Sequence, residues 1–517
     1  MTHSYTNNHK TVLGIGGALN HDASVSIVKG NEILFAAHSE RYSKIKNDPL
    51  LNKEILQDAF QYGIPDVIAW YENPWKKKAR QIYAGQYTVA FDKEELPKRY
   101  LQQFPELKDL PIVYQDHHYT HAASGYHTSG FVNAAVVVID SIGEWETLTI
   151  WQGSGGKLSK VYSQGYPNSF GLFYSAMTQR LGLKANEDEY ILMGMAAYGD
   201  ADRKYKGESL KLQLMNELGI TTHNHKLHTF KQNLHRGCNW IFPDLTSEQD
   251  LFDLAAATQE VYEIMFDRVI KLAHESVSFS TNLVLMGGCA LNCKANSMIT
   301  ANYGFKDIWI MPNPGDAGSS IGVTQKFNED WNLNWKTPYL GYNIEGDYPV
   351  EKSLKALLDG DIIGIANGRA EFGPRALGNR TLTADPRGPL IKDKMNEIKH
   401  RQKFRPFAPM ILEEDVHDYF DMPENVTQSP YMQFVAECKF PKEFPAIVHI
   451  DNTSRVQTVN QLQHPELYQL LSRFKEETGC PMLVNTSLNI KGKPIVNNEQ
   501  DAIDFSKHYG VKVFTSD

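Results

Sequence analysis

The sequence predicts an α/β protein, and three observations carry that prediction. Short β-branched runs, such as 134–139 and 282–286, have the length and composition of buried strands. Several of these runs end in turns bearing glycine, histidine or carboxylate, and segments of helical length follow, the order in which α/β folds keep ligands at strand ends. The 517 residues, 42% of them apolar, are enough for two or three packed domains.

Taken in order, Thr11 to Ile15 reads as a strand entering Gly16-Gly17 and Asn20-His21-Asp22-Ala23-Ser24, with a second strand over Val25 to Val28. This is a tight hairpin with a polar tip, and His21 at that tip is a candidate general base. The next strand, Glu32 to Ala37, leads into Ser39 to Lys46, expected to be a solvated helix start. Trp75 to Arg80 holds three consecutive lysines beside a tryptophan, and a solvated charge run is the expected reading. After the strand-like 111–114 comes His117-His118-Tyr119-Thr120-His121. On a helix His117 and His121 share one face, the spacing at which two imidazoles grip one divalent ion.

Two histidines rarely hold a metal alone, and Asp140, directly after the buried strand 134–139, is a plausible third ligand. Helical segments are expected from Gly171 to Leu181 and beyond, with the acidic Glu187-Asp188-Glu189 either capping a helix or meeting a cation or amine. His223, His225, His228, His235 and Cys238 alternate in a polar stretch and form a weaker metal candidate. A helix from Leu251 to about Ser276 precedes the strand 282–286 and Gly287-Gly288-Cys289-Ala290-Leu291-Asn292, where backbone amides are expected to approach a nucleotide. The strand 307–311 leads to Pro314-Gly315-Asp316. Two histidines and two such aspartates make a four-ligand oxygen/nitrogen set suited to iron(II), manganese or zinc.

A non-periodic run over Thr337 to Tyr348 suggests a boundary, giving expected domains 1–340 and 341–517. Beyond the strand 362–366, arginines interleaved with glycine and proline (Arg369, Arg375, Arg380, Arg387, Arg401, Arg405) are suited to gripping polyphosphate. Arg455 and Ser487 lie in later segments that add hydroxyl and amide donors.

A net charge of −9 argues against a constitutive nucleic-acid coat or a membrane-surface binder. The polar start and the lack of any run near the ~18 apolar residues of a spanning helix lead us to expect a cytoplasmic protein. Five scattered cysteines fit reduced, mostly buried thiols.

The ordered motifs NHDAS (20–24), HHYTHAAS (117–124), Asp140 with Gly143-Glu144, GGCALNCKAN (287–296), PGDAG (314–318), EFGPRALGNR (371–380), KHRQKFRPFAP (399–409) and NTSLNIKGKPIV (485–496) span nearly the whole chain. Through them the chain resembles the NodU/CmcH-type O-carbamoyltransferases, including the tobramycin- and cephamycin-pathway enzymes. The resemblance implies an N-terminal domain of the actin-like ATPase (ASKHA, Kae-like) superfamily and a YrdC-like α/β C-terminal domain. It implies that carbamoyl phosphate and ATP, with Mg(2+), yield carbamoyl-adenylate, whose carbamoyl group passes to a hydroxyl of a sugar, antibiotic or nucleoside. By position, His117, His121, Asp140 and Asp316 look like ligands of Fe(2+) or a similar divalent metal, and His21 like the base. Gly287, Gly288 and Asn292 look like nucleotide contacts. Arg375, Lys399, Arg405, Arg455 and Ser487 look like the carbamoyl phosphate and ATP set, and Asp188 and Glu189 are candidate acceptor contacts. A homodimer fits this picture. A hydroxymethylated nucleobase, free or in DNA, is the alternative acceptor, and a non-catalytic ATP-binding regulator is the reading from another class. The chain departs from the family at Ile191, where a lysine is frequent, at Ser141, and at Gly492-Lys493-Pro494.

Overall fold

The computed structural model describes residues 10–220, 229–299, 303–328 and 330–517. Buried β-branched strands set its first two layers. Thr11–Gly16 is buried at every position and pairs antiparallel with Ser24–Lys29, which pairs antiparallel with Glu32–His38. On its other side Thr11–Gly16 runs parallel to Val67–Trp70, which runs parallel to Ile112–Tyr114. The second sheet repeats this plan. Asn133–Ile139 pairs antiparallel with Glu146–Ser154 and that strand with Lys157–Gly165, while Asn282–Met286 and Asp307–Trp309 add parallel strands on the opposite side.

One topology therefore occurs twice, and it places the key residues in matched pairs. His21 lies in the first hairpin turn of one sheet, and Asp140 begins the matching turn of the other. The helix His117–Ser129 follows the last strand of the first sheet, and Asp316 opens the turn after the last strand of the second. The segment Ser319–Gly322 crosses His117–Ser129 closely. A Cβ on Gly322 would meet the Ser124 amide at 2.3 Å, and the Gly322 amide donates to Ser124 Oγ at 2.9 Å.

The C-terminal third is built on a six-stranded mixed sheet ordered 457–459, 408–412, 482–487, 380–383, 363–366 and 512–514. The non-periodic run expected near 337–348 contains a strand, Tyr339–Ile344. It pairs with Gly368–Glu371 beside the edge of the first sheet, where Arg369 donates to the Leu34 carbonyl at 2.8 Å. Ser39 to Lys46 is likewise not a solvated start. Glu40 and Arg41 are buried, because this segment packs under the loop after residue 371, where Arg41 donates to the Gly373 carbonyl at 3.2 Å. All five cysteines are free thiols, Cys289 half-buried and the others buried. No helix of the described residues is long and apolar enough to cross a membrane.

Candidate metal centre and anion cavity

The helix His117–Ser129 starts on a residue, Asp116, whose side chain does not cap it and instead pairs with Lys76 at 2.7 Å. The buried carboxylate of Glu144 takes over that role. Both its oxygens accept the His117 amide at 3.1 Å, and one accepts the Asn73 amide at 2.6 Å. A negative group there complements the helix dipole and fixes the turn that carries the histidines. One turn apart, His117 and His121 bring their Nε2 atoms within 3.1 Å. Asp140 Oδ2 lies 3.1 Å from His117 Nε2, and Asp316 Oδ1 lies 3.4 and 3.3 Å from the two imidazoles. The four ligand atoms all lie within 4.8 Å of one another.

Neighbouring bonds aim these donors inward. His121 donates Nδ1–H to the Pro314 carbonyl at 3.1 Å, which leaves its Nε2 lone pair facing the cluster. The Gly288 amide donates to Asp140 Oδ1 at 3.2 Å, and Asn20 donates to Asp316 Oδ2 at 3.4 Å. Burial alone would pull His117 down, but Asp316 and Asp140 more than offset it and hold the imidazole well above its usual range. Burial pushes Asp316 up, and His117 and His121 override it, leaving the carboxyl well below the ordinary carboxylate value. Two imidazole nitrogens and two carboxylates this close repel within each pair unless a cation or shared protons lie among them. Two nitrogen and two oxygen donors without a thiolate fit a divalent ion of the iron, manganese or zinc kind.

His21 sits in a turn that glycine makes accessible: Gly17 has φ +62°, and a Cβ there would meet the Asp22 carbonyl oxygen at 2.3 Å. His21 Nε2 donates to the Asn186 carbonyl at 2.9 Å, which leaves Nδ1 as the proton acceptor. Asp188 and Glu189 brace that carbonyl's loop. Asp188 accepts the Lys184 amide at 3.0 Å, and Glu189 Oε1 accepts the Asn186 amide at 2.6 Å and Ser175 Oγ at 2.7 Å. His38, which sequence reasoning missed, links the His21 turn to the Asp316 loop: its Nδ1 lies 2.9 Å from Asp22 Oδ1, and its Nε2 lies 2.9 Å from Asn313 Nδ2. A histidine at the end of a strand carries no motif, so no local signal marks it.

Other expected residues have protein partners. The Gly287 amide donates to Pro314, and its φ of +89° with a would-be Cβ 2.1 Å from the Ile139 carbonyl explains the glycine. Asn292 caps the following turn through the Ala295 amide and exchanges hydrogen bonds with Gln259 at 3.1 Å. The expected charge run 75–80 forms part of the helix Pro74–Tyr83. Lys76 pairs with Asp116, Lys77 with Glu72 at 2.7 Å, Lys78 with the Ala90 and Asp92 carbonyls, and Arg80 is buried against Glu144. These charges are satisfied internally and do not form a free basic patch. His223, His225 and His228 lie outside the described residues. His235 packs against Tyr166, Cys238 lies 3.5 Å from Met177 Sδ, and neither belongs to a metal-type cluster among the described residues.

Arg375, Lys399, Arg405, Arg455 and Ser487 all line one cavity of about 300 Å³. Arg401, expected within the arginine run to meet polyphosphate, lines it too. Lys399, buried, donates to the Ser487 carbonyl, to Ser487 Oγ at 3.2 Å and to Asn489 Oδ1 at 2.8 Å. The Arg405 guanidinium lies 4.6 Å over the Tyr190 ring, and that of Arg401 lies 4.0 Å over Phe407. Among the described residues none of these five cations pairs with a carboxylate. Burial, then Arg401 and Arg405, hold Lys399 well below the usual lysine value. Burial and Arg455 bring Arg375 down to about 9, where it remains cationic at neutral pH. A half-buried group of like charges with no ion-pair partner is a site for a polyanion. Arg380, by contrast, is fully buried and donates only to backbone carbonyls, those of Tyr342, Asn367, Gly368, Asn379 and Asn497. The polyphosphate role expected of the whole arginine run does not extend to it.

Comparison with known proteins adds an independent line. Residues 76–324 match the family model described as Carbamoyltransferase N-terminus, and residues 354–516 match Carbamoyltransferase C-terminus. The chain is 33% identical to the uncharacterized protein sll1178 of Synechocystis sp., covering 95% of this chain and 93% of that one. It is 30% identical to the nodulation protein NolNO of Sinorhizobium fredii over 96% of this chain and 78% of that protein. It is 26% identical to the 3'-hydroxymethylcephem-O-carbamoyltransferase of Amycolatopsis lactamdurans over 95% of both.

Proposed function

The chain belongs to the carbamoyltransferase family, and from that premise we propose an ATP-dependent O-carbamoyltransferase with its chemistry divided between two sites. In the cation cavity, carbamoyl phosphate is hydrolysed to carbamate and phosphate, and a carbamate oxygen attacks the α-phosphorus of ATP, expelling pyrophosphate. The carbamoyl-adenylate so formed reacts beside His21. There the hydroxyl of a small metabolite attacks the carbamoyl carbon, the bond from that carbon to the phosphate oxygen breaks, AMP leaves with the electron pair, and the hydroxyl proton goes to His21 Nδ1.

The observation that carries this reading is the group of five cations without carboxylate partners in one cavity. Lys399 and the arginines suit the charge that develops on pyrophosphate as it leaves. His21 is oriented as a base by its Nε2–H bond to Asn186. His117, His121, Asp140 and Asp316 would hold an iron(II)-type ion, which when bound supplies a Lewis-acid centre for nucleotide phosphates. The repeated sheet plan supports the actin-like reading of the first part, and we assign the six-stranded part to the YrdC-like role. The hydroxymethyl acceptor named for the cephem relative favours an alcohol on a small molecule, whereas the internal pairing of Lys76 and Lys77 gives the nucleic-acid alternative no support.

The deciding experiment is ATP–pyrophosphate exchange. Exchange is expected to require carbamoyl phosphate and to disappear in Arg405→Ala; exchange that persists without carbamoyl phosphate rules out the adenylate.

A further inference from the structure

Three segments that carry separate parts of the chemistry meet at Gly373. Its carbonyl accepts Nη2–H of Arg41, from the short helix Glu40–Ser43, at 3.2 Å. That helix leads on to Lys46, which lines the cation cavity. A Cβ at Gly373 would lie 2.7 Å from the Pro312 carbonyl oxygen, so the missing side chain lets two backbones pass closely. Pro312 opens the loop that runs through Asn313, bonded to His38 at 2.9 Å, to Asp316. Pro374 and Arg375, which follow Gly373, line the cavity.

Arg41 is 3% exposed and lines neither the cavity nor the metal cluster. Its Nε–H and Nη1–H have no hydrogen-bond partner among the described residues. Glu371, two residues before Gly373, is its counterpart. Glu371 Oε1 accepts the amides of Leu377, Asn379 and Arg380 at 2.8, 2.9 and 3.1 Å, while the buried Oε2 has no partner. Burial lowers the Arg41 pKa, and Glu371 opposes that more than Glu40 or Asp22 does. A buried guanidinium with idle donors is costly to keep, and the one hydrogen bond it makes falls on the backbone two residues before Arg375.

Arg375 depends on that backbone, because no hydrogen bond of its own holds its guanidinium among the described residues. The chain after it is anchored to the C-terminal sheet, with the Ala376 carbonyl accepting from Asn485 at 2.9 Å and the Leu377 carbonyl from Gln457 at 3.0 Å. On the other side the tie nearest in sequence is Arg41, which comes from the first part of the chain.

We propose that Arg41 is a positioning residue: by holding the Gly373 carbonyl it sets where Arg375 meets the polyanion. The inference rests on reading the cavity as an anion site. A tie from the His21 side gives the cavity its full grip only when the two parts of the chain are seated against each other.

The test titrates the full chain with pyrophosphate by calorimetry. Arg41→Met is expected to weaken pyrophosphate about tenfold, although Arg41 does not line the cavity, and Arg41→Lys, which keeps a charged donor, to recover most of that. The double variant separates positioning from a general effect on the fold. Because Arg41 acts through Arg375, adding Arg41→Met to Arg375→Met is expected to cost less than about twofold beyond Arg375→Met alone. Melting curves establish that each variant is folded at the titration temperature. If Arg41→Met is not, Gly373→Ala, which pushes the same loop away from Pro312, replaces it in both comparisons. Parent affinity in the single variant, losses that add in full in the double variant, or no pyrophosphate binding by the parent would each overturn the assignment. A parent that binds pyrophosphate yet shows no carbamoyl phosphate-dependent exchange would sink the adenylate reading and leave the Arg41 assignment standing.

Discussion

His121 donates its Nδ1–H to the carbonyl oxygen of Pro314 at 3.1 Å, and that single bond turns the Nε2 lone pair toward Asp316. Pro314 lies two residues before Asp316, so one short loop both orients an imidazole and supplies a carboxylate. His121→Ala is expected to lower the affinity for a divalent ion by at least about 100-fold. Metal content after dialysis against a graded chelator, read by mass spectrometry, checks this; full metal retention would remove His121 from the ligand set.

His21→Ala should separate the two half-reactions. Carbamoyl phosphate-dependent pyrophosphate exchange is expected to stay within about twofold of the parent, while transfer to an acceptor falls by about 10² to 10⁴, the range of a lost general base. Equal falls in both rates would mean that the sites are not divided as proposed.

Lys399 predicts the sign of a proton linkage. Its folded pKa is depressed by burial and by Arg401 and Arg405. Between that depressed value and the ordinary lysine range the unfolded chain therefore binds more protons, and this group's contribution to stability rises with pH. A bound polyanion favours the charged ammonium, so pyrophosphate binding in that window is expected to take up protons. Calorimetry in buffers of different ionisation enthalpy measures the number; zero uptake or proton release contradicts it.

Arg380 is expected to matter for stability rather than for phosphate. Arg380→Met leaves five carbonyls, three buried and two half-buried, short of a donor and should cost about 3 kcal/mol or more in denaturant unfolding. Arg375→Met should cost much less stability and more anion affinity.

That contrast marks how much the sequence makes legible. Strand ends and helical spacing are local, and His117, His121, Asp140 and Asp316 each sit at such a position, so the cluster can be assembled from fragments far apart in the chain. Arg375 and Arg380 share one glycine-rich motif, yet one enters the cavity and the other the core. Which way each points depends on how the strand Arg380–Thr383 is seated in its sheet, and no local pattern records that. His38, Lys46 and the capping role of Glu144 escape sequence reasoning for the same reason. Each acts on a partner brought in by the tertiary fold: Asn313 for His38, the distant cavity for Lys46, and the His117 amide for Glu144. The charged stretch from Ser39 to Lys46 looks solvated because its cover, the loop at Gly373, arrives more than 300 residues later.

The like-charged cavity also has a mechanical consequence. Five cations crowded with no ion-pair partner among the described residues push against one another, so the fold holds them together against their own field. An entering polyanion removes that thrust and acts as a keystone among Arg375, Lys399, Arg401, Arg405 and Arg455. Dissolved salt does the same work more weakly and without shape, so simple ions should stiffen this region and blunt the advantage of the true ligand together.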